Sequence, residues 1–303
     1  MTGARIGFIG LGNMGGRIAR RIVDSGHEVL GYDLSAEAIG AAGATDAGTV
    51  SALVSGSDVV LMSLPDSKVV ERVVFGEGGL LVATRPGQVV VDLSTAAPES
   101  TRKIAARLAD DGISYLDAGV SGGAAAAEKG SLTLMVGGDG AALERIDELL
   151  RSFATQIFHI GESGAGHTTK LLNNFLNAVA LAATAETMVA AKAAGLDLAM
   201  VLDVFNASSG VNFATLNRFP KIITGDYLEG GLSNSLMLKD VTLYVELLGQ
   251  LGVASLNSTG PIASFGLARA LGYADAISNT VVDALGDISG GIRLADDKEE
   301  GRS

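Results

Sequence analysis

The first half of the chain alternates short apolar runs with segments of helical periodicity. The apolar runs are rich in Val, Ile and Leu, which is typical of strands buried on both faces of a parallel sheet. They are 4–9, 27–32, 58–64, 88–94, 113–118 and 131–136. Helical segments such as 13–26 and 98–112 lie between them, and the second begins at Pro98 and ends at Gly112. The alternation predicts an α/β fold with a doubly wound sheet.

After about residue 162 the strand pattern stops and only helical patterns follow. These are 168–193, 197–207, 235–251, 258–271 and 275–287. We therefore predict an α/β domain over 1–162, an all-α C-terminal domain over 163–294 and a charged, flexible tail over 295–303.

A glycine pattern follows directly on the first predicted strand. Gly10, Gly12 and Gly15 form G-x-G-x-x-G and open the first helical segment. The first glycine permits a tight turn, the second lets the backbone approach a pyrophosphate, and the third lets helix and strand pack closely. The amides of Asn13 and Met14 at the helix start can then bind phosphate. Although the pattern alone is weak in a chain with 41 glycines, its position predicts a Rossmann-type dinucleotide site.

An acid, Asp33, ends the second predicted strand, 18 residues beyond Gly15. A carboxylate at this position can accept both ribose hydroxyls of an adenosine and would repel a 2′-phosphate. No Arg or Lys lies within 32–45 to attract such a phosphate. The sequence therefore favours NAD and disfavours NADP, and the alternative is that Asp33 is a turn residue or a helix cap near Ser35.

Two later strand ends are expected at the same cofactor. Leu64 and Pro65 follow one run, and Ser94 and Thr95 follow the next. Ligands of open parallel sheets bind beyond the carboxyl ends of the strands. For Thr95 the alternative is a helix N-cap.

The helical segment 168–193 carries an unusual set of polar residues. Lys170, Asn174 and Asn177 recur at spacings of four and three, which places them on one face of a helix. The turns beyond them are mostly Ala, Val and Leu, so the lysine is expected to be poorly solvated, and desolvation favours the uncharged amine that can accept a proton. The alternative is a lysine whose stem lies along a core helix while its ammonium group reaches water.

Composition narrows the classes of partner. The formal net charge of −12 argues against nucleic acid, whose binding needs basic surface, but it permits a small anionic substrate in a local positive pocket. The chain has no Cys and only three scattered histidines, so no metal site is predicted and each histidine is expected to have a structural role. No signal-peptide pattern and no long uninterrupted apolar run occur, so we expect no membrane partner and a cytoplasmic location.

Several sequence blocks stand in a specific order along the chain. They are GFIGLGNMG (7–15), DLSTAAP (92–98), the glycine-rich segment 117–138, GAGHTTKLLNN (164–174) and LMLKD (236–240). This series resembles the β-hydroxyacid dehydrogenase family, which includes 3-hydroxyisobutyrate dehydrogenase and tartronate semialdehyde reductase, and the resemblance spans nearly the whole chain. It implies an oxidoreductase that transfers a hydride between NAD and a small 3-hydroxy acid, similar to 3-hydroxyisobutyrate, glycerate or threonate, or its semialdehyde.

The resemblance also implies roles for individual residues. Lys170 matches the catalytic lysine of the family, a general acid and base, and Asn174 matches its amide partner. Both would also contact the substrate, whose carboxylate is expected on Ser121, Gly122 and Gly123. The implied cofactor contacts are Gly10, Gly12, Asn13, Met14, Gly15, Asp33, Leu64, Pro65, Val69, Thr95 and Lys239, with Asp240 the structural neighbour of the last. Taken alone, Ser-Gly-Gly is more typical of a flexible turn.

Departures from the family pattern leave the substrate open. Gly119 stands where a proline is usual, and Ala125 stands where glycine is frequent, so the shape of the substrate loop is in question. Asn173 replaces the histidine that related phosphogluconate enzymes carry in Lys-x-x-His-Asn. Candidates for the far wall of the substrate pocket are Asn212, Phe213, Phe219 and Lys239.

Two other functions remain as alternatives. One is imine reduction on a similar scaffold, although such relatives generally lack the lysine present here. The other is a non-catalytic nucleotide-binding module on the same fold. The Ala-rich helix 175–194 offers more apolar surface than a small helical domain can bury, which predicts a homo-oligomer, with dimer and tetramer both open.

Overall fold

A computed structural model of the protein describes residues 4–228 and 230–295. The chain divides into two compact units, and the division falls after Lys170. Nearly all of the predicted flexible tail, from residue 296 onward, lies outside the described residues.

The first unit consists of a sheet with helices between its strands. Its elements are β1 (Ile6–Ile9), α1 (Asn13–Asp24), β2 (Val29–Tyr32), α2 (Ala36–Ala41), β3 (Thr45–Asp46), α3 (Val50–Gly56), β4 (Val59–Met62), α4 (Ser67–Phe75), α5 (Leu80–Ala83), β5 (Val89–Asp92), α6 (Pro98–Ala109), β6 (Ser114–Ser121), α7 (Gly123–Lys129), β7 (Leu132–Gly137), α8 (Gly140–Leu150), β8 (Ala154–Gly161) and the start of α9 (Ala165–Ala193). The predicted doubly wound α/β class is confirmed.

The eight strands form one sheet in the order β3-β2-β1-β4-β5-β6-β7-β8. All neighbours are parallel except β6 and β7, which pair antiparallel. The connection 122–131 is shorter than the dozen or more residues that a parallel crossover needs, and the chain therefore returns antiparallel. Strands β3 and β8 were missed because both are edge strands with mostly exposed residues rather than apolar runs.

The central strands are buried on both faces, which is why they read as continuous apolar runs. Alternate residues of β4 enter different clusters: Val59 and Leu61 pack on one face, and Val60 and Met62 pack on the other. Burial of each such side chain stabilises the fold by about 1.5–3 kcal/mol. The sheet is thereby a rigid support for the loops at its carboxyl edge.

The second unit is helical, as predicted. It consists of the rest of α9, α10 (Leu198–Asn206), α11 (Phe213–Asn217), α12 (Phe219–Ile222), α13 (Asn234–Leu251), α14 (Thr259–Ala268), a π turn (Arg269–Tyr273), a 3-10 turn (Ser278–Thr280) and α15 (Val281–Ile288). The predicted helix 258–271 is α-helical only as far as Ala268 and continues into the π turn, in which Gly272 has a φ of 96°. The predicted helix 275–287 begins as the 3-10 turn. Phe219 is fully buried in the core of this unit and does not form an open pocket wall.

None of the helices within 4–228 and 230–295 has the length and apolar character needed to cross a bilayer. The same residues contain no group of three side chains suited to hold a metal ion.

Asp58 stabilises the start of β4 through two arginines. Its carboxylate accepts hydrogen bonds from the Arg5 guanidinium at 3.1 Å, from the Arg5 backbone at 3.0 Å and from Arg85 at 2.5 Å. These hydrogen bonds, chiefly the one from the Arg5 side chain, hold the pKa of Asp58 well below its usual range. A lowered folded-state pKa contributes stability above the unfolded pKa of about 4, and this stability is lost as the pH falls through the folded value.

We expect Asp58→Asn to lower the free energy of unfolding by about 1 kcal/mol at pH 7, a modest amount because the group is partly exposed. The difference from the wild type should shrink as the pH falls below about 4. Melting temperatures across this range measure it, and Asp24→Asn, which removes the exposed ion pair with Arg20, is the control. A gap between wild type and Asp58→Asn that widens in acid would contradict the assignment.

Candidate active site

The glycine turn between β1 and α1 leaves room for a ligand at one glycine only. A β-carbon on Gly10 would lie 2.4 Å from the Ser63 carbonyl oxygen, and one on Gly15 would lie 1.9 Å from the Gly10 carbonyl oxygen. Gly10 also has a φ of 87°, which disfavours other residues. By contrast, a β-carbon on Gly12 would meet no heavy atom within 4 Å. Gly12 is the N-cap of α1 and, having no side chain, caps none of the first backbone N–H groups of the helix.

Asp33 lies beside this turn at the carboxyl end of β2. Its Oδ2 accepts the Leu11 backbone N–H at 2.6 Å, and its Oδ1 accepts the Ser35 backbone N–H at 2.9 Å. The contact with Ser35 corresponds to the turn role that the sequence analysis left as an alternative. The contact with Leu11 joins the carboxylate to the glycine turn. Each carboxylate oxygen has further lone pairs, so the group can still accept hydroxyl donors.

The loops after β4 and β5 are joined by a buried hydrogen-bond chain. The Tyr115 hydroxyl donates to Asp92 at 2.7 Å, Asp92 accepts the Ser94 backbone N–H at 3.0 Å, and the Ser94 hydroxyl accepts the Leu64 backbone N–H at 2.9 Å. Burial and the neighbouring Asp92 raise the pKa of Tyr115, so the phenol stays a donor. The chain fixes Leu64 next to the segment that carries Thr95.

Two residues of these loops take specific positions. The N-cap of α6 is Ala97, so Thr95 does not occupy the cap position considered as its alternative role. Val69 lies in the first turn of α4, where its backbone N–H donates to the cap residue Asp66 at 2.9 Å. Both belong to the carboxyl edge of the sheet, together with the exposed Pro65.

The N-terminus of α9 docks on β6 through a buried carboxylate. Asp117 accepts the backbone N–H of Gly164 at 2.7 Å and that of His167 at 2.8 Å. Asp117 is fully buried, and these charge-assisted bonds satisfy N–H groups that a helix start otherwise leaves unpaired. The favourable end of the helix dipole adds to the attraction.

The backbone of α9 also approaches the sheet very closely. A β-carbon on Gly166 would lie 2.4 Å from the carbonyl oxygens of both Asp117 and Met135. A β-carbon on Gly119 would lie 2.5 Å from the β-carbon of Lys170. Gly119, which replaces the usual proline, therefore lets the stem of Lys170 lie directly on β6.

His167 fastens the same helix turn to the neighbouring loop. The Nδ1 atom of its buried ring is 2.7 Å from the Thr101 hydroxyl, and Nε2 is 3.3 Å from the Asp92 carbonyl oxygen. His159 likewise binds the Gly138 carbonyl oxygen at 2.8 Å. These two histidines have the structural roles that the sequence indicated.

One face of β6 brings the candidate substrate residues of the first unit together. Asp117, Gly119 and Ser121 are alternate residues along β6, so they share one face of the strand, and Asp117 and Gly119 contact α9. Ser121 lies two residues beyond Gly119, about 7 Å along the strand. Ser121 is therefore only two residues along the strand from Gly119, the residue against which Lys170 packs. Lys170 itself is partly buried.

The segment after Ser121 turns sharply at two exposed glycines. Gly122 and Gly123 have φ values of 125° and 69°. A β-carbon on Gly122 would lie 2.6 Å from that of Ala126, whereas Gly123 has open space around it. The turn therefore depends on glycine at its first position and leaves the second accessible.

In the second unit an acid fixes the orientation of Asn174. Asn174 is 5% exposed, and its amide nitrogen donates to Asp240 Oδ2 at 2.6 Å. Because a carboxylate can only accept, this bond directs the amide oxygen of Asn174 away from the acid. Lys239 Nζ lies 3.2 Å from Asp240 Oδ1. The two atoms are at ion-pair distance, but their angles are not those of a hydrogen bond. Asp240 thus holds two residues that the sequence singled out.

Arg218 is a further polar residue on this side of α9, and the sequence reasoning missed it. It lies between α11 and α12, and its guanidinium donates to Asn177 Oδ1 at 3.1 Å and to Asn279 Oδ1 at 2.8 Å. Asn212, a candidate pocket wall, instead caps α11 in a capping box with Thr215. In the sequence, only Asn177 hinted at this contact. Asn177 shares the predicted helix face of Lys170 and Asn174, but the sequence alone did not indicate which residue it binds.

The comparisons with known proteins cover nearly the whole chain. The family model described as the NAD binding domain of 6-phosphogluconate dehydrogenase matches residues 5–161. The model described as the NAD-binding domain of NADP-dependent 3-hydroxyisobutyrate dehydrogenase matches residues 164–281.

Curated relatives and a solved structure agree with these models. An NAD-dependent L-serine dehydrogenase of Pseudomonas aeruginosa is 40% identical, over 87% of this chain and 90% of that protein. A 2-(hydroxymethyl)glutarate dehydrogenase of Eubacterium barkeri is 38% identical, over 80% of this chain and 81% of that protein. The structure of a Mycobacterium tuberculosis 3-hydroxyisobutyrate dehydrogenase with L-serine has a TM-score of 0.83 and 30% identity, over 93% of this chain and 99% of that chain.

The glycine turn gives a prediction that separates ligand binding from folding. Because a side chain at Gly12 meets only open space in the protein, Gly12→Val should keep the melting temperature but lower NAD affinity at least tenfold. Gly15→Ala should instead lower the free energy of unfolding by about 1–3 kcal/mol, since its β-carbon overlaps the Gly10 carbonyl. Calorimetric NAD titration and thermal melts measure both. Undiminished NAD binding by a folded Gly12→Val protein would remove this turn from the cofactor site.

Proposed function

Since this chain belongs to the β-hydroxyacid dehydrogenase family, whose members are NAD(P)-dependent oxidoreductases, we propose that it oxidises the 3-hydroxyl group of a small 3-hydroxy acid. Lys170 acts as the general base in this direction and as the general acid in the reduction of the semialdehyde. The physiological substrate is a member of this class, with 3-hydroxyisobutyrate-, glycerate- and threonate-like acids as the candidates.

The substrates in the names of the relatives support this class. L-serine, 3-hydroxyisobutyrate and 2-(hydroxymethyl)glutarate all carry a hydroxymethyl group next to a carbon that bears a carboxylate. They differ only in the other substituent of that carbon. A shared core with a variable substituent indicates that the reacting groups are bound in the same manner and that a separate part of the site selects the substituent.

The observation that carries the proposal is the packing of Lys170 against β6. Gly119 contacts the stem of Lys170, and Ser121 follows on the same face of the strand. A carboxylate held by the Ser121 hydroxyl and by the backbone N–H of the exposed Gly123 would therefore lie close to the lysine. In a 3-hydroxy acid the carbon that bears the hydroxyl is two carbons from the carboxylate carbon. Such a molecule can place its carboxylate on Ser121 and Gly123 and its hydroxyl at Lys170.

The proposed chemistry requires one proton acceptor at the hydroxyl. When bound, NAD would supply a two-electron acceptor for the hydride from the carbon that bears the 3-hydroxyl. Lys170 takes the hydroxyl proton as the carbonyl forms and returns it in the reverse reaction. Asn174, one turn further along α9, orients the hydroxyl or the amine through the amide group that Asp240 holds. These roles need the amine of Lys170 in its neutral form before the oxidation step.

The residues around the glycine turn fit a dinucleotide and favour NAD over NADP. Gly12 and the start of α1 offer room and N–H groups for the pyrophosphate, and Lys239 is the candidate contact at the nicotinamide end. Asp33 accepts ribose hydroxyls and repels a 2′-phosphate. The ratio of kcat/KM for NAD to that for NADP measures this preference.

The two alternatives have less support. An imine reductase needs no lysine base at this position, whereas the chain has Lys170 packed on β6. A non-catalytic nucleotide-binding module would have no use for the ordered pair of Asn174 and Asp240.

We expect Lys170→Ala to lower kcat by roughly 10²- to 10⁴-fold, because it removes the general base. NAD affinity should be retained. Lys170→Arg should be similarly impaired, since a guanidinium does not give up its proton at neutral pH. Rates of NADH formation with 3-hydroxyisobutyrate, L-serine, glycerate and threonate measure this, and Lys192→Ala in the last turn of α9 is the matched control. Substantial turnover by Lys170→Ala would exclude the proposed role.

The second unit has an apolar groove that supports self-association. The groove has a volume of about 460 Å³, and its walls come from the last turns of α9 and from α10. Leu196, Met200 and Val204 lie along it at spacings of four and are 53%, 61% and 54% exposed. No charged side chain lines it. An apolar ridge beside an apolar groove on one surface is self-complementary, which is the requirement for a two-fold dimer.

Met200→Lys should shift the protein toward monomer, because it places a charge in the middle of the dimer contact. Light scattering at several concentrations measures the mass. Val82→Lys, at an exposed apolar position of the first unit, is the control and should leave the mass unchanged. A wild-type protein that is monomeric at micromolar concentration would contradict the proposal.

A further inference from the structure

The ring of His167 spans the loop between β5 and α6. Its Nε2 atom lies 3.3 Å from the carbonyl oxygen of Asp92, the last residue of β5, and its Nδ1 atom lies 2.7 Å from the hydroxyl of Thr101, in the first turns of α6. The segment between these two points carries Thr95, a predicted cofactor contact. These residues and Lys170 all belong to the first unit.

The groups around the ring give each contact a direction. A carbonyl oxygen can only accept, so Nε2 donates to Asp92. In a neutral imidazole the other nitrogen then accepts, and the single hydroxyl proton of Thr101 points to Nδ1 rather than to the Ala97 carbonyl oxygen at 3.2 Å. Thr101 is 1% exposed and His167 is fully buried, so bulk water does not reach either partner. Loss of the hydroxyl would leave a buried ring nitrogen unpaired.

His167 also fixes the turn of α9 that carries Lys170. Residues three apart on a helix are neighbours on its surface, with β-carbons about 5–6 Å apart. The His167 backbone N–H donates to Asp117 at 2.8 Å, and Gly119 meets the stem of Lys170, so these contacts hold the turn against β6. The ring of His167 holds the same turn against the segment that carries Thr95.

That segment is joined in turn to the loop after β4. The Ala97 backbone N–H donates to the Ser67 hydroxyl at 2.8 Å, and the Leu64 backbone N–H donates to the Ser94 hydroxyl at 2.9 Å. The two loops at the carboxyl edge of the sheet therefore form one support. His167 connects this support to the first turns of α9.

We propose that His167, oriented by the hydroxyl of Thr101, is a positioning residue that sets the place of the Lys170 amine relative to the cofactor loop 93–97, which rests on the proposed role of Lys170 as the general base. His167 and Thr101 transfer no proton in the reaction and act only through the placement of the lysine. A displacement of about 1 Å in a reacting group can cost roughly 10²-fold in rate.

Thr101→Val keeps the shape of the side chain and removes the hydroxyl. We expect it to lower kcat for L-serine and 3-hydroxyisobutyrate roughly tenfold to hundredfold, because the base is displaced. NAD affinity measured by calorimetry should be retained, since the glycine turn and Asp33 are untouched. The isotope effect on kcat with L-serine deuterated at its hydroxymethyl carbon should rise, because hydride transfer becomes slower. Thr101→Ser, which restores the hydroxyl, should keep most of the wild-type kcat.

Ser57→Ala is the matched control for the loss of a buried hydroxyl. Ser57 is fully buried, and its hydroxyl donates to the Leu53 carbonyl oxygen at 2.7 Å, before β4 at the opposite edge of the sheet. This variant should lower the melting temperature but leave kcat and the isotope effect unchanged. An unchanged kcat in Thr101→Val would overturn the proposal, as would an equal loss of kcat in Ser57→Ala.

His167→Asn is the second variant, in case Thr101→Val does not fold. Its amide oxygen keeps an acceptor for Thr101, and the contact with Asp92 is lost. It should lower kcat less than Thr101→Val but in the same direction, and wild-type kcat in this variant would also count against the positioning role.

A chemical measurement on Lys170 separates this inference from the catalytic proposal. Acetic anhydride labelling of the NAD-free protein, followed by peptide mass spectrometry, gives the acetylation rate of Lys170 relative to that of Lys192 in the last turn of α9. Thr101→Val should raise this ratio at least about threefold, since a turn held by fewer bonds opens more often. Ser57→Ala should leave it unchanged.

The two proposals then fail separately. If no hydroxy acid is oxidised but the ratio rises in Thr101→Val, the catalytic proposal fails and the positioning of Lys170 stands. If the acids are oxidised and the ratio does not change, the positioning proposal fails alone.

Discussion

The contact on which the candidate site depends is the docking of the first turns of α9 on the backbone of β6. Asp117 accepts two N–H groups at the start of the helix, and the absence of β-carbons at Gly119 and Gly166 lets the two backbones meet. Lys170 follows one turn after His167, so its stem is fixed relative to Ser121 by covalent geometry and by this contact. A buried carboxylate with satisfied hydrogen bonds gives an orientation that a purely apolar contact would not specify.

Electrostatics in the second unit follow a related principle with a different outcome. Asp240 is almost completely buried and holds the amide of Asn174 and the ammonium of Lys239, so its charge is compensated. Within 4–228 and 230–295, Arg218 hydrogen-bonds to the amide oxygens of Asn177 and Asn279, and its guanidinium lies over the Phe213 ring. Both arrangements order side chains along one face of α9.

How far the sequence leads can be judged from particular elements. The glycine turn was predictable because each of its glycines meets a local steric requirement. The patterns of the preceding strand and the following helix show where that turn lies. The antiparallel return of β7 was not predicted, although the short connection 122–131 contained the information. The exposed edge strands β3 and β8 lack an apolar run, so no periodicity could reveal them. The site roles of Lys170, Asn174, Ser121 and the cofactor contacts rested on helix periodicity, the glycine pattern, the strand ends and family resemblance, and they remain predictions.

The sequence by itself determined the α/β and all-α halves, the dinucleotide turn and the polar face of α9, because these depend on periodicity and on residues close together in the chain. Only the tertiary structure decided that Gly119 touches Lys170, that Asp240 orients Asn174 and that Arg218 binds Asn177. Each of these contacts joins residues more than 40 positions apart. Such pairs leave no mark in local hydrophobic pattern, since the contact depends on how helices and strands pack rather than on the segments themselves.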